Sequence, residues 1–295
     1  MPDELVVSDD CSTDDTVDLL REFSKSAPFE VKILLNNNRL GYVGNFNRAL
    51  GSTSGDMVFL SDQDDVWLSQ KIHKVIEFSR DKKEVLLFMN DAEIVDCLLS
   101  KTGLSKLGQL LSAGYPSNAF VMGCCCAIRR DLLDLCLPIP AGFSGHDSWI
   151  VAFAYGLNSV CVLEEVLQLY RRHDSNESTM LANRTKRVGR LERFKLQIEN
   201  AMSNQSGFLA RYEIEKIEEL YFGCRRSYGR IDGKYDTSMV NFQSELESQL
   251  QMLRYRYDLR RQPIHIRLYR AVFFLASGSY GRVSGIRSFI RDLMG

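Results

Sequence analysis

Apolar residues along this chain fall into short runs, separated by polar stretches in which apolar positions recur every three or four residues. The runs Leu5–Val7, Val31–Leu35, Met57–Leu60, Val85–Met89, Ala119–Ile128, Val160–Leu163 and Val166–Leu169 predict strands. Between them the spacing predicts helices. One runs from Thr13 to Phe23, with Thr13 or Asp14 as N-cap and acids in its first turn, where the helix dipole favours them. Others cover Gly41–Ala49 and Ser69–Ser79, the latter with Ile72, Val75, Ile76 and Phe78 on one face, and an apolar helix covers Ile150–Tyr155. Strand–helix alternation of this kind predicts an α/β fold: a Rossmann-like, mainly parallel sheet with helices on both faces.

Past residue 183 the strand signals stop. Arg187–Met202, Leu209–Tyr221, Val240–Leu253, Tyr269–Leu275 and Val283–Leu293 carry helical periodicity. Charge divides at the same place. Residues 1–183 hold 16 Lys/Arg against 26 Asp/Glu, a balance of −10, whereas residues 184–295 hold 21 against 12, a balance of +9. Two parts are therefore expected, an α/β domain over 1–183 and a basic helical region over 184–295.

Six arginines between Arg254 and Arg270 face one acid in that window, Asp258, among Tyr255, Tyr257 and Tyr269. The apolar run Ala271–Ala276 is far short of the roughly 20 residues of a membrane span. Residues 254–291 fit either a solvated helical face or peripheral contact with an anionic membrane. No nucleic-acid-binding motif accompanies the arginines, so no nucleic-acid partner is expected. There is no basic-then-apolar signal segment at Met1. The eight cysteines lack paired zinc spacing, and Cys124, Cys125 and Cys126 alternate across a predicted strand, which makes a poor metal site. Reduced, buried thiols in a cytoplasmic protein are the expectation, with peripheral placement on the inner face of the cell membrane if the basic region docks there.

Candidate chemistry sits where predicted strands end, which is where open α/β sheets bind ligands. Ser8, Asp9 and Asp10 follow the first run, and Asp62, Asp64 and Asp65 follow the third. Crowded carboxylates repel one another and call for a cation or a hydrogen-bonding ligand. An Asp-x-Asp pair supplies hard oxygens to Mg²⁺ or Mn²⁺ and leaves room for phosphate and water. The same acids also suit helix caps. Asp147, between His146 and Trp149 at the start of a helix, suits either an N-cap or a general base. Arg172 and His173 end the last run, where a cationic turn can neutralise a diphosphate.

The blocks Val7–Asp14, Asn38–Asn45, Gly55–Trp67, Gly145–Trp149 and Tyr170–His173 together resemble glycosyltransferase family 2, the inverting, GT-A-fold family that uses nucleotide-diphosphate sugars. The Asp-Gln-Asp-Asp-Val-Trp form at 62–67 looks most like its bacterial rhamnosyltransferase-type members, which build cell-surface polysaccharides. The resemblance spans about residues 3–176. It implies that Asp9 and Asp10 contact the donor's pyrimidine base. Asp62 would lie towards the ribose, Asp64 would be the principal ligand of a divalent cation, Mg²⁺ or Mn²⁺, and His173 would join that cation or the diphosphate. Gly123 would leave space for the donor sugar, Arg172 would aid the departing diphosphate, and Asp147 would act as catalytic base. The implied donor is a dTDP- or UDP-sugar, with rhamnose as one sugar, and the implied acceptor is a saccharide or a lipid-linked saccharide.

One departure accompanies the match. Family members begin with a strand carrying a Pro-x-Tyr-Asn-like turn, whereas Met1–Asp3 here leads straight into the family's second strand. A chain lacking that strand is expected to be either an N-terminally short transferase or a catalytically silent nucleotide-sugar-binding or scaffold protein.

Overall fold

A computed structural model of the chain describes residues 1–173, 183–195, 206–276, 288–289 and 292–293. The predicted helices over 196–202 and most of 283–293 therefore lie outside the described residues.

The N-terminal segment alternates β1 (Glu4–Asp9), α1 (Thr16–Ser26), β2 (Glu30–Leu35) and α2 (Gly41–Gly51). β1 and β2 are parallel, in register from Glu4 opposite Glu30 to Asp9 opposite Leu35. Helix α1 begins three residues later than the sequence suggested, because the Asp14 carboxylate accepts the Thr16 amide at 3.1 Å and so closes a turn ahead of the helix. Glu4 ties β1 both to β2 and to the loop after α2. Its carboxylate meets Lys32 Nζ at 2.6 Å and the amides of Ser54 and Gly55 at 2.6 and 3.0 Å. Burial pushes its pKa up, but those donors outweigh burial and hold it down at about 2.

The second sheet contains β3 (Met57–Phe59), β4 (Val66–Trp67), β5 (Leu87–Val95), β6 (Lys101–Ser105), β7 (Cys126–Arg129) and β8 (Val160–Arg171). Their order is β3-β7-β5-β8-β4, with β6 also paired to β5. The α/β class is as expected, and this sheet is mixed. β5 and β8 run parallel, while β3–β7, β5–β7, β4–β8 and β5–β6 are antiparallel. Connection length accounts for part of this. Asp96 Oδ1 accepts the amides of Leu98 and Ser100 in a tight turn that permits only an antiparallel β5–β6 hairpin. The parallel β5–β8 pair is separated by helices α4 (Lys106–Ser112), α5 (Arg130–Cys136) and α6 (His146–Gly156). β8 joins two predicted runs into one strand. Between Asn90–Leu163 and Asp91–Val166 the register skips, so Glu164 and Glu165 form a bulge.

The expected strand over Ala119–Ile128 is corrected to β7 alone. Residues Ser117–Ala119 and Gly123–Cys125 are 3-10 turns, and the Cys124 carbonyl accepts Lys71 Nζ at 2.9 Å instead of joining a ladder. The three cysteines therefore do not alternate across a sheet, although all three are buried. Helix α3 (Lys71–Ser79) starts at that same buried lysine.

The C-terminal region forms α7 (Ser206–Ser227), α8 (Asp236–Arg260) and α9 (Ile264–Ala276). Leu220, Cys224, Met239, Phe242 and Leu246 share one core with Trp149, Ile150 and Phe153 of α6. The close approach requires glycine at Gly223, where a Cβ would lie 2.5 Å from the Trp149 ring. Gly223→Ala is expected to lower unfolding free energy by about 1–3 kcal/mol through overpacking. A denaturation midpoint equal to that of the parent would contradict the helix crossing described here.

The arginine-rich stretch is less exposed than its sequence suggested. Arg256 is buried and pairs with Asp292 at 2.7 and 3.0 Å, Arg260 pairs with the same carboxylate at 2.8 Å, and Arg254 meets Glu218 at 2.5 Å. These partners are remote in sequence, so a local charge count missed them. No described helix is long and apolar enough to cross a membrane.

Candidate active site

The site assembles from four places: the loop after β3, the 3-10 turn at Gly123, the start of α6 and the end of β8. The loop is fixed by Asp65. Its Oδ2 accepts Gln168 Nε2 at 3.0 Å and its Oδ1 accepts the Arg171 amide at 3.1 Å, both from β8. Lys71 supports the same contact from below, since its ammonium donates to Gln168 Oε1 and to the Cys124 carbonyl and lies 4.1 Å from the centre of the Trp67 ring. Burial lowers the pKa of Lys71 and raises that of Asp65. Asp65 is thus the anchor of the acidic loop that also carries Asp62 and Asp64.

Asp62 carries the clearest electrostatic signature. Burial, followed by the charges of Asp65, Asp64 and Asp147, pushes its carboxyl up to about 7. Four carboxylates therefore share one field, and a cation is what relieves such a field. Ligand atoms of Asp62, Asp65 and Cys124 lie within 4.8 Å of one another. Of that trio, Cys124 is held well above its ordinary pKa and is thus a protonated thiol, while Asp65 has both oxygens engaged. Asp64 Oδ2 and His173 Nε2 lie 2.9 Å apart, bringing the two residues read as cation ligands together from 109 positions apart. Carboxylate and imidazole donors of this kind fit a hard divalent cation better than a thiolate-seeking one.

Gly123 and Asp147 also meet. A Cβ on Gly123 would lie 3.0 Å from His146 Nε2, 3.3 Å from Asp147 Cβ and 3.7 Å from Asp147 Oδ2, so a side chain there would fill the space in front of that carboxylate. Gly145 precedes the helix at φ 96, a left-handed conformation that glycine adopts without strain, and this turns Asp147 into the first turn of α6. His146 is buried and stacks on Phe46 at 3.8 Å, and burial lowers its pKa. Arg172 sits beside the cluster, its Nη1 donating to Tyr170 OH at 3.4 Å.

Asp9 and Asp10 belong to the β1 tip. Asp9 Oδ2 accepts the Ser12 amide at 3.0 Å. Asp10 accepts Asn36 Nδ2 at 2.8 Å and the amides of Leu40 and Gly41 at 2.7 and 2.9 Å, so it holds the turn into α2. Asp10 thus meets the first amides of α2, and α1, the helix that follows these acids, has no side-chain cap.

Sequence reasoning passed over Lys71, Gln168 and the structural part played by Asp65. A lysine at the first position of an amphipathic helix and a glutamine inside a strand carry no signal alone. Each becomes informative once β8 and the acidic loop are neighbours.

The model of the family described as "Glycosyl transferase family 2" matches residues 1–136. Residues 1–136 are thus similar to glycosyl transferase family 2 domains. The α/β class expected from the motifs is the class of the described structure. An uncharacterized glycosyltransferase of Nostoc sp. is 29% identical over 222 residues, covering 70% of this chain and 67% of that protein. A dTDP-rhamnosyl transferase of Shigella flexneri, RfbG, is 28% identical over 199 residues, covering 59% of this chain and 64% of its own. A UDP-Glc:α-D-GlcNAc-diphosphoundecaprenol β-1,3-glucosyltransferase of Escherichia coli, WfaP, is 33% identical over 87 residues, covering 30% of this chain and 34% of its own. The chain thus has relatives named for sugar transfer in bacteria.

Proposed function

We propose that this chain transfers a sugar from a nucleotide-diphosphate donor to a saccharide or lipid-linked saccharide acceptor, with inversion at the anomeric carbon. The observation that carries this reading is the convergence of Asp147 and Gly123 with the Asp62–Asp65 cluster. Asp147 takes the proton from an acceptor hydroxyl as that oxygen attacks the anomeric carbon, and the donor C–O bond breaks on the opposite side. Gly123 leaves the space in front of Asp147 open for the reacting groups. Asp62, Asp64 and His173 hold a divalent cation, which would supply charge neutralisation to the departing diphosphate. Arg172 adds a fixed positive charge on the same side. Asp9 and Asp10 shape the turn that meets the nucleotide base.

For the donor, the name of the Shigella relative makes dTDP-rhamnose the first sugar to test, with UDP-sugars next. A thermal-shift panel of nucleotide sugars with Mn²⁺ tests this choice, because a ligand that binds only the folded state raises its melting temperature. A shift with one donor class is expected. The absence of a shift with every dTDP- and UDP-sugar would overturn the reading.

The lipid-linked acceptor is supported by the name of the WfaP relative and by α9. Tyr269 and Phe273 on that helix are 75% and 68% exposed, with Ile264, Leu268 and Val272 also at the surface. Arg261 and Arg270, both exposed, flank them. This combination suits peripheral contact with an anionic bilayer, with apolar side chains at the acyl boundary and arginines near the headgroups. Co-sedimentation with anionic vesicles should be salt-sensitive and should fall several-fold in a Leu268→Ser, Phe273→Ser variant. Equal recovery with neutral and anionic vesicles would leave α9 a purely structural element.

A further inference from the structure

One cation close to the site has no task in the mechanism above. Lys106 opens α4 directly after β6, and the residue is 2% exposed. Its ammonium lies 4.3 Å from the centre of the Tyr170 ring. Among the described residues it has neither a hydrogen-bond nor an ion-pair partner. The aromatic face offsets only part of the cost of burying such a charge, and an anion would offset the rest.

Among the described residues the surroundings do not supply that anion. Asp65 is the nearby carboxylate, and both of its oxygens are already engaged by Gln168 and Arg171. Cys124 and Cys125 are neighbours, and Cys124 is held as a neutral thiol. Arg172 shares the same aromatic ring, its guanidinium 5.9 Å from the ring centre, and so adds a second positive charge. Burial first, with Arg172 contributing, lowers the pKa of Lys106 to about 8, the direction expected of an ammonium awaiting a counter-ion.

We propose that Lys106 and Arg172, joined across Tyr170, form a seat for a diphosphate group. A compact ammonium beside a planar guanidinium suits the several oxygens of a diphosphate, which accept one point contact and one forked contact. Tyr170 and Arg172 lie on the strand end that also carries His173, so the seat adjoins the cation-binding acids. The proposal rests on the transferase reading and adds a residue and a ligand group to it. Two reactants of that reading can present a diphosphate: the nucleotide donor and a polyprenyl-diphosphate acceptor.

The test uses the full chain and the variants Lys106→Met, which keeps the apolar stem, and Lys106→Arg, which keeps the charge. Titration calorimetry at pH 7 with Mg²⁺ would follow UDP, dTDP, UMP and geranyl diphosphate. Lys106→Met should weaken one diphosphate class by about tenfold, and Lys106→Arg should restore most of it. If the donor diphosphate occupies the seat, the preference for UDP over UMP narrows in Lys106→Met. If the acceptor diphosphate does, only geranyl diphosphate weakens. Unchanged affinity for UDP, dTDP and geranyl diphosphate in a variant with parental circular dichroism would overturn the proposal. Should the methionine variant fail to fold, Lys106→Gln takes its place and is read by the same criteria. A parent that binds no nucleoside diphosphate would instead overturn the transferase reading, and the geranyl diphosphate arm would still judge Lys106.

Discussion

Asp147→Asn should lower sugar transfer by about 10²–10⁴-fold while leaving donor binding in place. The amide keeps the size of the side chain and can still accept the Ser148 amide, which now bonds Oδ1 at 2.7 Å. The start of α6 and the space above Gly123 are therefore expected to persist. What is lost is the ability to take a proton from the acceptor hydroxyl. Asp62 also loses one of the negative charges that raise its pKa, so it should ionise more readily in the variant. Measuring transfer and donor thermal shift together separates the two effects. A parental rate in Asp147→Asn would place the base elsewhere.

Asp64→Ala should abolish Mn²⁺-dependent donor binding in a chain that still folds. Asp64 faces His173 at 2.9 Å, whereas the loop is tethered to β8 by Asp65, so the alanine removes the proposed ligand and spares the tether. At a ligand concentration 100 times its Kd, bound ligand stabilises the fold by about 2.7 kcal/mol, and that increment is what the variant should lose. Asp65→Ala makes the contrasting control. It should destabilise the fold without any ligand, because Gln168 and the Arg171 amide would lose their acceptor. A metal-dependent shift in Asp64→Ala equal to the parent's would contradict the assignment of that residue.

The acids were legible in the sequence because strand ends punctuate an α/β chain. Asp62 and Asp64 follow an apolar run, and Asp147 opens an apolar helix. Their convergence needed the sheet order, in which β8 lies between β5 and β4 and carries His173 back to Asp64. The Ala119–Ile128 segment misled for a physical reason. Cysteine, valine and phenylalanine favour extended structure, but Gly123 permits a tight turn and Lys71 captures a carbonyl that a ladder would have used. The arginines of α8 misled for a related reason. Sequence spacing counts local charge, whereas Asp292 and Glu218 neutralise Arg256, Arg260 and Arg254 from tens of residues away. Lys106 was silent altogether, since a lysine after a strand reads as surface until its burial is known.

The most direct test is release of nucleoside diphosphate from dTDP- and UDP-sugars in the presence of Mn²⁺ and a saccharide acceptor, measured for the parent and for Asp147→Asn. The parent should release nucleoside diphosphate from at least one donor, EDTA should stop the release, and Asp147→Asn should fall by at least about 10²-fold. Release from no donor, or equal release by parent and variant, would contradict the account.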